Sequence, residues 1–206
     1  MAFTNYSDLK STIADYLARD DLDTKIPDFI RLAEERLKRD LRIRQMLKVA
    51  TASTIVNDST VSLPSDFLAM KDLHLDTNPV RVLQFQNTSN FFRNARTTDK
   101  GVPTMYTLLG SEFQFAPYPD AVYTLRMVYY HKPELLSDSN PSNLFLATCP
   151  DLLLYGALAE AEPYLMNDER LATWASLYDR GLASLRASDD DSEYPSSPMS
   201  ITLSTR

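Results

Sequence analysis

The 206-residue sequence predicts an α+β fold: an antiparallel bundle of about four helices, an inserted antiparallel β-sheet or small barrel, and an extended C-terminal arm. Three observations predict it. Apolar residues recur at three- and four-residue spacing near both ends of the chain, they alternate through its middle, and residues 189–206 are rich in Ser, Pro and Asp. Helices and strands that fall in separate blocks mark an α+β arrangement. The expected organisation is a single domain over 1–188, with helices at 5–45 and 149–188 around a β insertion at 46–148, followed by an arm at 189–206.

In YSDLKSTIADYLARD, Tyr6, Leu9, Ile13, Tyr16 and Leu17 form the apolar stripe of a first helix. Pro27 suits the first turn of a second helix, with Thr24 as the nearby cap and Ile26, Ile30, Ala33, Leu37 and Leu41 as its buried stripe. The two are expected to pack as an antiparallel hairpin.

After about Gln45 the pattern alternates. KVATASTIV and STVSLP flank Asn57 and Asp58, a pair suited to a tight hairpin turn. AMKDLHLD and PVRVLQF read as a second pair, TSNFFRNA as a short helix, and PTMYTLLG and EFQFAP as a pair split at Gly110 and Ser111. From Val122 to His131 the chain alternates Tyr123, Leu125, Met127 and Tyr129 with Val122, Thr124, Arg126, Val128 and Tyr130. Apolar groups on both faces predict a central strand covered by helices.

Pro150 then opens a helix that is apolar nearly all round, which predicts deep burial, and Pro163 ends or kinks it. The final helix carries Leu171, Trp174, Ala175, Tyr178, Leu182 and Leu185 on one stripe, with Gly181 weakening it by roughly 1 kcal/mol relative to alanine. Beyond it, Ile201 and Leu203 alternate with Ser and Thr, a pattern able to add a strand to a neighbouring chain.

The composition, 44% hydrophobic and 24% charged, is that of a folded globular protein. MAFTNYSDLK lacks the basic lead and apolar run of a secretory signal, and LLLYGALAEA is far shorter than the ~20 residues that span a bilayer, so a soluble protein with no membrane partner is expected. The net charge is −7, unevenly spread: residues 25–48 hold eight Lys/Arg against four Asp/Glu, whereas 134–194 hold twelve Asp/Glu against three Arg. Such a split suits head-to-tail contact between identical copies, and equally suits two solvated helix faces.

Catalytic and ligand motifs are sparse. Four glycines supply no phosphate loop or GxGxxG. His74 and His131 sit in strand segments without a second ligand at helical spacing, and the lone Cys149 is expected as a packing residue. Asp66, Asp120, Asp138 and Asp151 occupy turn or cap contexts, so neither an enzyme, a cofactor site nor a metal site is expected, and a carboxylate-dependent hydrolase is the enzymatic rival. Tyr123, Tyr129, Tyr130 and Arg126 supply the other rival, a single-stranded nucleic-acid or glycan-binding module.

The order of IPDFIRLAEERLKRDLR, LPSDFL, FAPYPDAVYTLRMVYYHKP, LFLATCPDLLLYGALAEAEPYL and a last helix resembles the head-to-tail adaptors of tailed bacteriophages, including the tail tubular protein A class, over roughly residues 5–188. The resemblance implies a virion structural protein made in the host cytoplasm. It implies a dodecameric ring that connects the portal to the tail, or else a more distal tail-tube ring. Its partners would be its own copies, the portal protein and a downstream tail or nozzle protein. DNA would pass through the lumen without specific binding during ejection, which suits an acidic chain. The arm would contact a partner chain through Tyr194, Met199, Ile201, Leu203 and Arg206.

Overall fold

The computed structural model describes residues 4–19, 21–95, 99–166 and 168–193. Helix and sheet are mixed, and the chain divides into two compact units, one built from the segments up to Gln45 and from Pro133 onward, the other from Met46–Lys132. Residues 133–148, expected within the β insertion, thus belong to the helical unit.

The helical unit contains α1 (Tyr6–Leu17) and α2 (Ile26–Asp40). Asn5 caps α1, its side chain accepting from the Asp8 N–H, and Tyr6, Leu9, Ile13 and Leu17 are buried as the spacing predicts. Tyr16 is instead half-exposed, its ring edge against Trp174 at 5.9 Å. Lys25, not Thr24, occupies the cap position of α2 and makes no side-chain bond there; Pro27 in the first turn has no N–H that needs a cap. After the insertion come the short α4 (Leu144–Thr148), which the sequence reading did not foresee, α5 (Pro150–Leu165) and α6 (Asp168–Glu193).

Helix α5 is the centre of this unit. Leu152, Leu153, Leu154, Ala157, Leu158, Ala159 and Ala161 are all buried, and full burial stabilises by about 1.5–3 kcal/mol per leucine. It lies between α2 and α6 at Gly156, where an added Cβ would meet Ala33 Cβ at 3.0 Å and Tyr178 Cε2 at 3.4 Å. The principal neighbour of α2 is therefore α5, where a hairpin with α1 was expected, because α5 offers apolar surface on every side. Pro163 lies inside α5, which ends two residues later. Helix α6 runs to Glu193, five residues into the expected arm; the Asp189 carboxylate accepts from the Arg44 N–H at 3.1 Å, and Arg44 Nη1 donates to the Ser192 carbonyl. Residues 194–206, with the anchors Tyr194, Met199, Ile201, Leu203 and Arg206, lie outside the described residues.

The second unit contains β1 (Leu47–Ser53), β2 (Thr60–Ser62), β3 (Phe67–Leu75), β4 (Arg81–Val82), β5 (Gln84–Phe85), α3 (Thr88–Asn94), β6 (Lys100–Gly101), β7 (Met105–Leu109), β8 (Glu112–Ala116), β9 (Tyr118–Pro119) and β10 (Thr124–His131). One sheet has the order β1-β10-β3-β4, a second β2-β8-β7-β5, and β6 pairs with β9. The expected hairpin across Asn57 does not form. Asn57 adopts φ 64°, as a turn residue does, but the turn passes the chain from one sheet to the other, with β2 pairing β8. The β3–β4 and β7–β8 pairs do form, the latter across Gly110 at φ 60°. Two short pairings, β5–β7 and β6–β9, are parallel; the four-stranded sheets are otherwise antiparallel.

The two sheets enclose one core. Leu73, Leu75, Leu125, Met127 and Tyr129 face Tyr106, Phe113 and Phe115, with Phe67 edge-on to Phe113 at 6.1 Å. Strand β10 is central, between β1 and β3; on one face Leu125, Met127 and Tyr129 are buried, whereas on the other Thr124 and Arg126 are exposed and Val128 and Tyr130 half-buried.

Candidate functional site

The side chains with chemical potential are engaged locally. His74 Nδ1 donates to Asp72 at 2.9 Å, and His131 Nδ1 donates to the Met46 carbonyl at 2.8 Å. Burial, with the nearby Asp151 charge, pushes the Cys149 thiol up to about 12, so it is a buried thiol and not a thiolate nucleophile. Asp66 accepts from Tyr129 Oη at 2.8 Å and pairs with Lys48 at 2.6 Å. Asp120 accepts from Tyr123 Oη at 2.6 Å, Asp138 pairs with Lys10 at 2.9 Å, and Asp151 stands in the first turn of α5. Among the described residues no group of three or more His, Cys, Asp or Glu is placed to hold a metal ion, and no helix is long and apolar enough to cross a membrane.

The proposed base-stacking set is not brought together. Tyr129 is 1% exposed in the core and Tyr123 shares its side of β10, whereas Arg126 and Tyr130 point to the opposite side. The alternation of a strand separates them, and the core takes the larger share.

What the structure presents instead are surfaces. The outer side of the β1-β10-β3-β4 sheet carries a cross-strand row of Thr51, Arg126, His74 and Val82. Val82 and Val80 are 65% and 57% exposed, and Val49 on β1 is 52% exposed. Strand β1 is also an edge. The Thr54 N–H donates to the Tyr123 carbonyl at 2.9 Å, so by the alternation of an antiparallel ladder Ala52, Ala50 and Lys48 turn their backbone groups to β10. Leu47, Val49, Thr51 and Ser53 turn theirs outward, where no described strand pairs with them.

The basic segment 25–48 is partly neutralised within the chain. Arg36 lies over the Tyr178 ring at 4.3 Å and near Asp40 and Glu160, Lys38 pairs with Glu35, and Lys48 with Asp66. Lys25, Arg31 and Arg39 remain exposed on or beside α2.

The role comes from the family comparison. A protein-family model described as SU10 adaptor protein matches residues 4–201. The chain belongs to that family. It is a phage adaptor family, so the adaptor's role is structural, in the virion, with other head and tail proteins as its contacts. Such a role points away from catalysis. No curated protein matches the sequence.

Sequence reading missed β1 as an exposed edge. The signal was present in KVATAS, a strand-length run of small residues with one lysine and no proline, but strand order is not encoded in any local pattern.

Proposed function

We propose that this adaptor forms a ring, dodecameric in its full assembly, that joins the portal to the tail and extends the DNA channel used in ejection. The observation that carries the reading is the adaptor-family match across nearly the whole chain, residues 4–201. In this proposal α1, α2, α5 and α6 act as an antiparallel bundle of about four helices that packs side by side around the ring, as in the tail tubular protein A class. The strand-bearing unit faces the next tail component, and the arm, with Tyr194, Met199, Ile201, Leu203 and Arg206, engages another chain. The net charge of −7 favours passage of DNA over its retention, since like charge keeps phosphates from binding.

Electron microscopy and native mass measurement of the purified protein, alone and with its portal, test this. Rings of twelve copies that stack on the portal are expected. Monomers under both conditions overturn the proposal.

A further inference from the structure

The edges of the two sheets are not alike. Strand β4 is two residues long and follows Pro79, β5 is two residues and β2 three. Short edges and prolines are the usual guards against adding a further strand. Strand β1 lacks both of these guards, being seven residues long, roughly 23 Å of backbone, with no proline, and its lysine lies at one end, leaving Val49 to Ser53 without charge. Its one charged side chain, Lys48, is half-exposed and pairs with Asp66. The outward N–H and C=O groups of Val49, Thr51 and Ser53 form a ready ladder, and the side chains around them are small, with Ala50 and Ala52 only partly buried at the border of the core.

The chain itself contains a segment whose length and alternation would suit a matching strand. Residues 199–205, MSITLST, follow Pro198, contain no proline or charge, and alternate Met199, Ile201 and Leu203 with Ser200, Thr202 and Ser204. We infer that residues 199–205 of a second copy add as a strand to the outer edge of β1. This rests on the ring reading above and gives the arm its receptor. In that pairing Met199, Ile201 and Leu203 extend the core past Ala50 and Ala52, whose small side chains leave room. Ser200, Thr202 and Ser204 lie on the solvent side beside Val49 and Thr51. Backbone hydrogen bonds supply the attachment and the alternating apolar groups supply the register. A basic or acidic surface patch would not suit this occupant, which carries no charge between Pro198 and Arg206.

The test uses the full-length assembled protein carrying Cys149→Ala. One population carries Val49→Cys or Thr51→Cys; the other carries Ser200→Cys, Thr202→Cys or Ser204→Cys. A disulfide between the populations can only be intermolecular. Covalent dimers are expected for at least one register-matched pair, at tenfold or more over a control with Val82→Cys on the opposite edge of the same sheet. No dimer from any pair, or dimers equal to the control, overturns the inference. So does an intramolecular disulfide that forms in chains carrying both cysteines when they are diluted among unmodified copies. As a second measurement, Thr51→Pro removes an outward N–H while leaving the β10 side of the ladder intact. Amide exchange across 200–205 should then accelerate at least tenfold, with β10 amides unchanged; unaltered exchange in the arm sinks the idea. Rings that form without any cross-link defeat this inference and leave the ring reading standing, whereas monomers throughout defeat both.

Discussion

Glu34 on α2 accepts a hydrogen bond from Asn143 Nδ2 at 2.6 Å, and the same carboxylate accepts the Leu136 N–H at 3.1 Å. One buried side chain, 1% exposed, thus joins a helix before the β insertion to two positions after it. Asn143 also caps α4 through the Leu146 N–H. Burial pushes the Glu34 carboxyl above the ordinary range, and the bonds from Leu136 and Asn143 only partly offset it. Because the folded value is the higher one, its contribution is full below the ordinary carboxylate range and is lost as pH rises through the raised value. Glu34→Gln keeps an acceptor and removes the charge, so its melting temperature relative to wild type should improve from pH 4 to pH 7. Glu34→Ala leaves the Leu136 N–H without its partner and should cost about 1–3 kcal/mol. Trp174, the only tryptophan, lies in the same unit and reports its unfolding by fluorescence.

Asp66 has the opposite sign. Burial raises its carboxyl, but hydrogen bonds from Lys48 and Tyr129 outweigh that and hold it below the usual range. Stability from this residue is present above the ordinary carboxylate value and is lost as pH falls through the depressed one. Asp66→Asn should therefore flatten the acid limb of a denaturation series, at a cost near 1 kcal/mol at neutral pH, because Lys48 is half-exposed and its pair is weak. Hydrogen exchange at the Met127 and Tyr129 amides reads this out. An acid limb that stays as steep in the variant contradicts the assignment.

Gly156 and Gly181 both sit where helices approach closely. A Cβ on Gly156 would stand 3.0 Å from Ala33 Cβ, which is fixed to the α2 backbone and cannot rotate away. Gly156→Ala should destabilise by about 1–3 kcal/mol despite alanine's better helix propensity, through overpacking. At Gly181 the neighbour is Leu152 Cδ2 at 2.8 Å, the end of a flexible side chain. Gly181→Ala should be much milder, its crowding offset by roughly 1 kcal/mol of propensity. Paired chemical denaturation of the two variants gives the ordering, and a larger loss at Gly181 contradicts it.

Trp174 Nε1 donates to Glu162 Oε1 at 2.8 Å, and the Arg170 guanidinium lies 3.6 Å from that oxygen. The other carboxylate oxygen has no hydrogen-bond partner. Trp174→Phe should therefore cost about 2–4 kcal/mol, more than the lost indole area alone, whereas the double variant Trp174→Phe, Glu162→Gln should recover part of the loss. No recovery, measured by urea midpoints, argues that packing and not the carboxylate carries the effect.

The sequence by itself determined the kinds of element and their order. The stripes of α1, α2 and α6, the all-round apolar α5, the turn at Gly110 and the β10 alternation are local consequences of side-chain spacing, and each element appears where spacing put it, although Tyr16 of the α1 stripe is half-exposed. The short α4 escaped because five residues carry less than two turns of periodicity. Tertiary structure alone decided that the Asn57 turn switches sheets, that α2 pairs with α5, that Glu34 bridges segments more than 100 positions apart, and that β1 stands at an edge. Each of those is a choice among partners with similar local patterns. The free energy that settles it comes from burying complementary surfaces distant in sequence, which no run of adjacent residues contains.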